Sequence, residues 1–399
     1  MHSLRSTRVL IENEIVQADL VIADQCIADV ASYGSVDNVV DVGDRLITPG
    51  FVDLHSDAVE KEIEPRPGAH FPIDSAIVEL DKKLATCGIT TMFHAIAFYE
   101  ESVVGTRGTE MGARIARHID LLNEQRLLVD NFVHVRYEAT SFSSVSAILE
   151  LMQDGVVQFL SFMDHSPGQG QYVSVDNWLK DHKSAFGMDE DEARKVIDIM
   201  GEKKALSAEK LCLLAQRARQ LDIPLASHDD DCIEKIDFMK NLGVTVAEFP
   251  TNEEAAFYAQ EQNLTTGMGA PNVVRGGSQN GNISARQLIK QGLCNFLCSD
   301  YHPTSMLQAV YATSREVGIT LSRSFQLVTR NPAEIAGLRD RGEIKIGHRA
   351  DLLVIDDSFI PTVVLTLKSG VPVYNGLSSF NLHEGIGNSD DRMSQKAVV

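Results

Sequence analysis

Cysteine is scarce and scattered in this chain of 399 residues: six positions, Cys26, Cys87, Cys212, Cys232, Cys294 and Cys298, with no Cys-x-x-Cys pair. That spacing speaks against a thiolate zinc site and against a disulfide framework, and Cys294 and Cys298 read as small core residues in an apolar run. No stretch approaches the ~20 apolar residues of a membrane span, and the N-terminus lacks the apolar core of a secretion signal. Positive charge is also short: 36 Lys and Arg stand against 56 Asp and Glu, a formal net charge of −20. The imbalance argues against non-specific binding to nucleic acid or to an anionic membrane surface. It leaves room for an anionic small molecule, because Arg, backbone N–H groups and a metal can outweigh the global field locally. These absences predict a soluble, cytoplasmic protein. Assembly with identical copies stays open.

What is present is an ordinary globular composition, 44% hydrophobic and 23% charged, long enough for one large domain and a smaller one. Residues 1 to about 48 read as short strands with turns, and β-rich pattern returns near the C-terminus in DLLVIDDS, TVVLTLKSG and VPVYNG. The expected organisation is a small β domain from 1–48 plus 343–380, a barrel from 49–342 and a tail from 381–399. The ends, through about Thr7 and from about Ser378, are expected to be peripheral.

The middle alternates apolar runs with amphipathic patterns, the mark of a parallel α/β architecture. Strand candidates are FVDLH (51–55), TTMFHAIAF (90–98), NFVHVRYEA (131–139), VVQFLSFM (156–163), PLASH (224–228), VTVAEF (244–249), TTGMGA (265–270) and NFLCSD (295–300). Eight strands with interleaved helices fit a (β/α)8 TIM-type barrel, with an open nine-stranded sheet as the alternative. Residues 165 to about 205 form a long polar excursion, and such loops are usually functional lids or disordered.

In such a barrel the chemistry sits at the C-terminal strand ends. The first candidate ends in His55-Ser56-Asp57, where strand alternation puts His55 and Asp57 on one side. Further ends carry Arg136 and Glu138, Asp164-His165, His228 through Asp231, Glu248, and Asp300-Tyr301-His302. Singly, each is an unremarkable solvated strand end. Gathered at one mouth, they would repel one another without a cation. Imidazole with carboxylate suits Zn, Mn or Fe, and the donor number leaves room for one ion or two. His134 reads as a core histidine, whereas His94 fits a core place or a substrate contact equally. The run Gly269 to Asn282 is a Gly-rich loop leading into a helix at Ser284. With Arg275, Gly276 and Gly277 it is a phosphate-site candidate, against the plainer reading of a loop without ligand. Arg136 and Arg66 are further candidates for phosphate contacts, and His302 for a substrate contact.

These features together resemble the amidohydrolase superfamily over nearly the whole chain. The resemblance rests on ITPGFVDLHSD, GITTMFH, His228, Asp300 and the C-terminal NPAEIAGLRDRGEIKIGHRADLLVID. More narrowly, FVDLHSDAVEKEIEPRPGAHFP, FLSFMDHSPGQGQY, ASHDDD, GAPNVVRGGSQNGNISA and LCSDYHPTSML resemble its phosphonate-pathway branch. That branch implies hydrolysis of a phosphorylated ribose phosphonate, a 5-triphosphate, to the 5-phosphate and pyrophosphate. The implied metal ligands are His55, Asp57, His165, His228 and Asp300, with Glu138 as an additional or bridging one. Asp300 is also the implied general base. Three departures stand out against the superfamily pattern: Asp57 replaces the second His of His-x-His, strand four has no Lys, and Glu248 stands where strand six usually offers His. The alternatives are an amidohydrolase opening a cyclic amide or deaminating a base, and a catalytically silent scaffold.

Overall fold

A computed structural model describes residues 2–100, 106–123, 125, 127–166, 189–278 and 281–377. The expected C-terminal tail and residues 167–188 of the expected excursion lie outside them. From Glu190 the excursion is not a loop: a helix runs from Glu190 to Gln220. No helix among the described residues is long and apolar enough to cross a membrane.

Five strands open the chain: β1 (His2–Ile11), β2 (Glu14–Ala23), β3 (Cys26–Ser32), β4 (Val40–Asp41) and β5 (Leu46–Pro49). Eight follow: β6 (Phe51–Ser56), β7 (Ile89–Phe98), β8 (Asp130–Glu138), β9 (Phe159–Met163), β10 (Leu225–His228), β11 (Val246–Glu248), β12 (Thr265–Gly269) and β13 (Phe296–Cys298). The last three are β14 (Leu352–Asp356), β15 (Thr362–Lys368) and β16 (Val371–Asn375).

β6 through β13 pair in parallel in chain order. The ring closes where Ser56 bridges Asp300, with Asp300 N donating to His55 O and Asp57 N to Asp300 O, each at 2.9 Å. The fold is the (β/α)8 barrel. Strands covered on both faces need side chains that tolerate burial on both, and β6 and β7 are buried throughout, with Val52, Leu54, Met92, Phe93 and Ile96 among their apolar residues. Val52, Leu54, Phe93, Phe159, Val246 and Phe296 fill the interior below the mouth.

The remaining strands form one sheet in the order β16-β15-β14-β5-β1-β2-β3, so both ends of the chain build it. β1 is central, with Leu4 and Val9 in its core, which corrects the expectation of a peripheral N-terminus. Alternation divides β14 between two cores: Leu352 and Val354 pack within the sheet's own layer, Leu353 and Ile355 against the barrel's helices.

Two features weld sheet to barrel. Gly50 joins β5 to β6, and a Cβ there would overlap the Thr90 side chain, so only glycine lets the strands pass so closely. At the foot of β8, Asp130 accepts from Arg341 at 2.5 Å and from Arg349 at 2.6 Å, with the Lys368 ammonium 2.6 Å away.

Candidate active site

β8 shows how the interior is lined. Phe132, His134, Arg136 and Glu138 occupy alternate positions and so face inward, from apolar foot to polar mouth. β6 departs from that rule. Its register slips between Asp53 and Ser56, so His55 turns inward although its neighbour Leu54 also does. Asp57 reaches the cavity from beyond the strand end. The two-residue spacing therefore brings both to the site, but only Asp57 by leaving the strand.

Left-handed backbone does the same work elsewhere. Asp229, Phe249 and Asp300 follow strand ends with φ of 53°, 55° and 56°, a region that non-glycine residues enter only when their surroundings insist. The ladder insists: Asp229 N donates to Glu248 O and Phe249 N to Gly267 O, both at 2.9 Å. The turn cancels alternation after β10, and His228 and Asp229 both line the cavity.

Four imidazoles stand in sequence across the mouth. Ring centres are 5.1 Å apart for His134 and His55, 5.4 Å for His55 and His228, and 5.8 Å for His228 and His165. Carboxylates sit beside them. His55 Nδ1 is 3.1 Å from Glu248 Oε1, His228 Nδ1 is 2.8 Å from Asp229 Oδ2, and His165 Nδ1 is 3.1 Å from Glu138 Oε2. His165 also meets the Tyr99 hydroxyl at 2.8 Å. Ser161 donates to Glu248 and shares a 2.7 Å hydrogen bond with His134.

Two groups of buried donors have ligand atoms within 4.8 Å of one another: His55, His134 and Glu248, and His165, His228 and Asp229. Both sets suit a divalent ion. The second fits better, because both His134 nitrogens already face partners, Leu54 O at 2.8 Å and Ser161. Burial, reinforced by the Arg136 and His228 charges, holds the His55 pKa well below its ordinary value, so its imidazole is neutral, as a ligand must be. Asp229 stays well below the usual carboxylate range: burial pushes it up, but His228 and His165 outweigh that. Burial and then the Asp57 charge push Asp300 up to about 7, against Arg136.

Above the donors lies a cavity of about 280 Å³. Asp57, Arg136, Asp300, Arg275 and Gly277 line it together with Phe249 and Met268. Arg136 is 7% exposed and has its Nε without a partner. Gly276 is exposed, with φ of 81°, because Ala270–Arg275 is a short helix that it ends; the loop expected there begins only afterwards. Arg66 sits exposed in a turn bridged to Ala69, and His302 is exposed beside Thr304; neither lines the cavity. His94 faces the helix layer, its Nε2 2.7 Å from Asn131 Oδ1, which decides for the core reading. Two participants escaped the sequence reading. Arg107 lines the cavity and donates to Asp57 at 3.1 Å and to Glu60 at 2.8 Å, yet no motif surrounds it. Tyr99 follows directly on the end of β7, and that position was its only signal. Asp229 was visible only within an acidic run.

A family model described as the amidohydrolase family matches residues 284–374. The alpha-D-ribose 1-methylphosphonate 5-triphosphate diphosphatase of Escherichia coli (strain K12) is 32% identical over 361 residues, 88% of this chain and 94% of that protein. The chain belongs to the amidohydrolase family. It is thereby a metal-dependent hydrolase, which sets aside the scaffold reading. This amidohydrolase is also similar to an adenine deaminase of Bacillus subtilis (strain 168), 25% identical over 90% of this chain and 55% of the deaminase, and so spans about half of that protein. Among solved structures, N-acetyl-D-glucosamine-6-phosphate deacetylase from Mycobacterium smegmatis shares the fold with a TM-score of 0.65 at 15% identity, over 94% of this chain and all of that one. A 5-methylcytosine deaminase from Klebsiella pneumoniae does so with a TM-score of 0.65 at 13% identity, over 95% and 99%.

Proposed function

We propose that this amidohydrolase cleaves the phosphoanhydride of alpha-D-ribose 1-methylphosphonate 5-triphosphate, giving the 5-phosphate and pyrophosphate in phosphonate catabolism. The observation that carries the reading is Arg136: a buried guanidinium facing the cavity, with Nε unpartnered, beside the imidazoles and Asp300. A buried guanidinium with an unsatisfied N–H is costly, and an anionic reacting group is the natural partner. A neutral cyclic amide or a nucleobase offers no such charge. The 32% identity to the diphosphatase supports the same substrate class.

His165, His228 and Asp229 would hold the metal, with Glu138 beside them, and His55 and Glu248 are the donors for a second ion. When bound, the metal supplies Lewis acidity that makes hydroxide available near neutral pH. Asp300 takes the proton of the attacking water. The water oxygen bonds to the α-phosphorus, the bond from that phosphorus to the α–β bridging oxygen breaks, and pyrophosphate leaves with the electron pair. Arg136 offsets the charge on the α-phosphoryl oxygens, and Arg275 with Gly277 faces the departing pyrophosphate. The protein is proposed to work in the cytoplasm.

The test loads the purified protein with Zn²⁺ or Mn²⁺ and supplies the ribose triphosphate and, separately, adenine. Pyrophosphate should appear, stop on chelation and resume on metal addition. Ammonia from adenine without pyrophosphate would establish the deaminase reading instead.

A further inference from the structure

Lys235 lies in the first turn of the helix Ile233–Leu242, just after the run His228 to Asp231. A cation there opposes the helix dipole, and an ammonium on a side chain only 11% exposed gives up hydration. Its contacts show what is gained in return. Nζ donates to His228 O at 2.7 Å and to Asp229 O at 3.0 Å, and lies 3.5 Å from Asp230 Oδ1.

Two successive carbonyls meeting one ammonium is a geometric statement. In an extended strand they point to opposite sides, so a single donor cannot reach both. They converge here because Asp229 is left-handed, with φ of 53°. The same turn puts the side chains of His228 and Asp229 on one side, where with His165 they form a possible metal-binding group. Asp230, next in line, is tied down separately by Ser227 Oγ at 2.5 Å.

We propose that Lys235 is a positioning residue for the metal centre: it pins the turn that makes His228 and Asp229 face one ion. The inference rests on the metal-centre reading above and adds a group that touches neither metal nor substrate.

The test titrates the full-length, metal-stripped protein with Zn²⁺ by calorimetry, comparing wild type, Lys235→Met, Lys235→Arg and Asp130→Asn. Lys235→Met should bind Zn²⁺ about 10- to 100-fold more weakly while its metal-free form keeps the wild-type circular dichroism. Lys235→Arg, which keeps the cation and can donate to both carbonyls, should recover part of the affinity. Asp130→Asn, remote from the site, should melt earlier yet bind Zn²⁺ as wild type does, separating aim from mere stability. Should the methionine variant not fold, Lys235→Gln takes its place with the same expectation. Zn²⁺ affinity within threefold of wild type in Lys235→Met, or an equal loss in Asp130→Asn, overturns the proposal alone. A wild-type protein that takes up no Zn²⁺ overturns the metal centre and this inference with it.

Discussion

Arg136 and Glu138 share the inward face of β8, two positions apart, yet they do not pair. Glu138 turns instead to His165, at 3.1 Å, and among the described residues no carboxylate takes the Arg136 guanidinium. Arg136→Met should therefore cut pyrophosphate release from the ribose triphosphate by about 10²–10³-fold in kcat/KM. It should melt no lower than wild type, since a buried guanidinium with an unsatisfied Nε costs the fold more than it returns. Steady-state kinetics with a melting curve checks both, and an early melt would show that Arg136 belongs to the scaffold.

Glu248 is a partner to both His55 and Ser161. Replacing it by Leu would remove a proposed metal donor and free the His55 ring to turn. We expect Glu248→Leu to lose at least ~100-fold in hydrolysis together with bound metal. Elemental analysis of the purified variant would contradict this by finding its full metal complement.

Asp130 gathers Arg349, Lys368 and Arg341 where the terminal sheet meets the barrel. Burial pushes its carboxyl up, but the three cations outweigh that and leave it at about 2. Against an ordinary carboxylate near ~4, the group stabilises the fold fully above that pH, and the benefit fades as pH falls through about 2. Asp130→Asn should cost about 2–4 kcal/mol at pH 7 and flatten the stability curve between pH ~4 and ~2. Urea unfolding at graded pH reads both effects.

His94 carries the opposite charge type with the same sign of pH dependence. Burial, only partly offset by Asn131, lowers its pKa from 6.5 to about 4, so the folded protein keeps it neutral. The unfolded chain protonates first, and stability is lost as pH falls from 6.5 towards 4. His94→Phe should lose less stability than wild type over that interval. Equal losses in the two proteins would assign the acid sensitivity elsewhere.

The barrel was legible because β6 to β13 are segments of strand length, rich in apolar residues and separated by helical periodicity, a pattern set by burial on both faces. The donor-rich strand ends were legible for a related reason, since only polar residues interrupt those runs. Three things were hidden. The slip between Asp53 and Ser56 leaves no mark in composition, so alternation alone misassigns how His55 turns inward. The helix from Glu190 is polar at its start, and polarity there reads as loop. Arg107 and Lys235 act through single long side chains from neighbouring turns, and no spacing rule points from either to the groups it holds.

The seam between β6 and β13 has a consequence for the order in which the protein is made. Ser56 and Asp300 meet there although 244 positions separate them, and backbone hydrogen bonds from residues 57 and 300 close the ring at that point. On a ribosome, the first half of the site emerges long before its other half exists. A nascent or truncated chain can hold some of the imidazoles but cannot place Asp300 beside them. With Asp300 as the proposed base, activity would be withheld until synthesis has passed the eighth barrel strand.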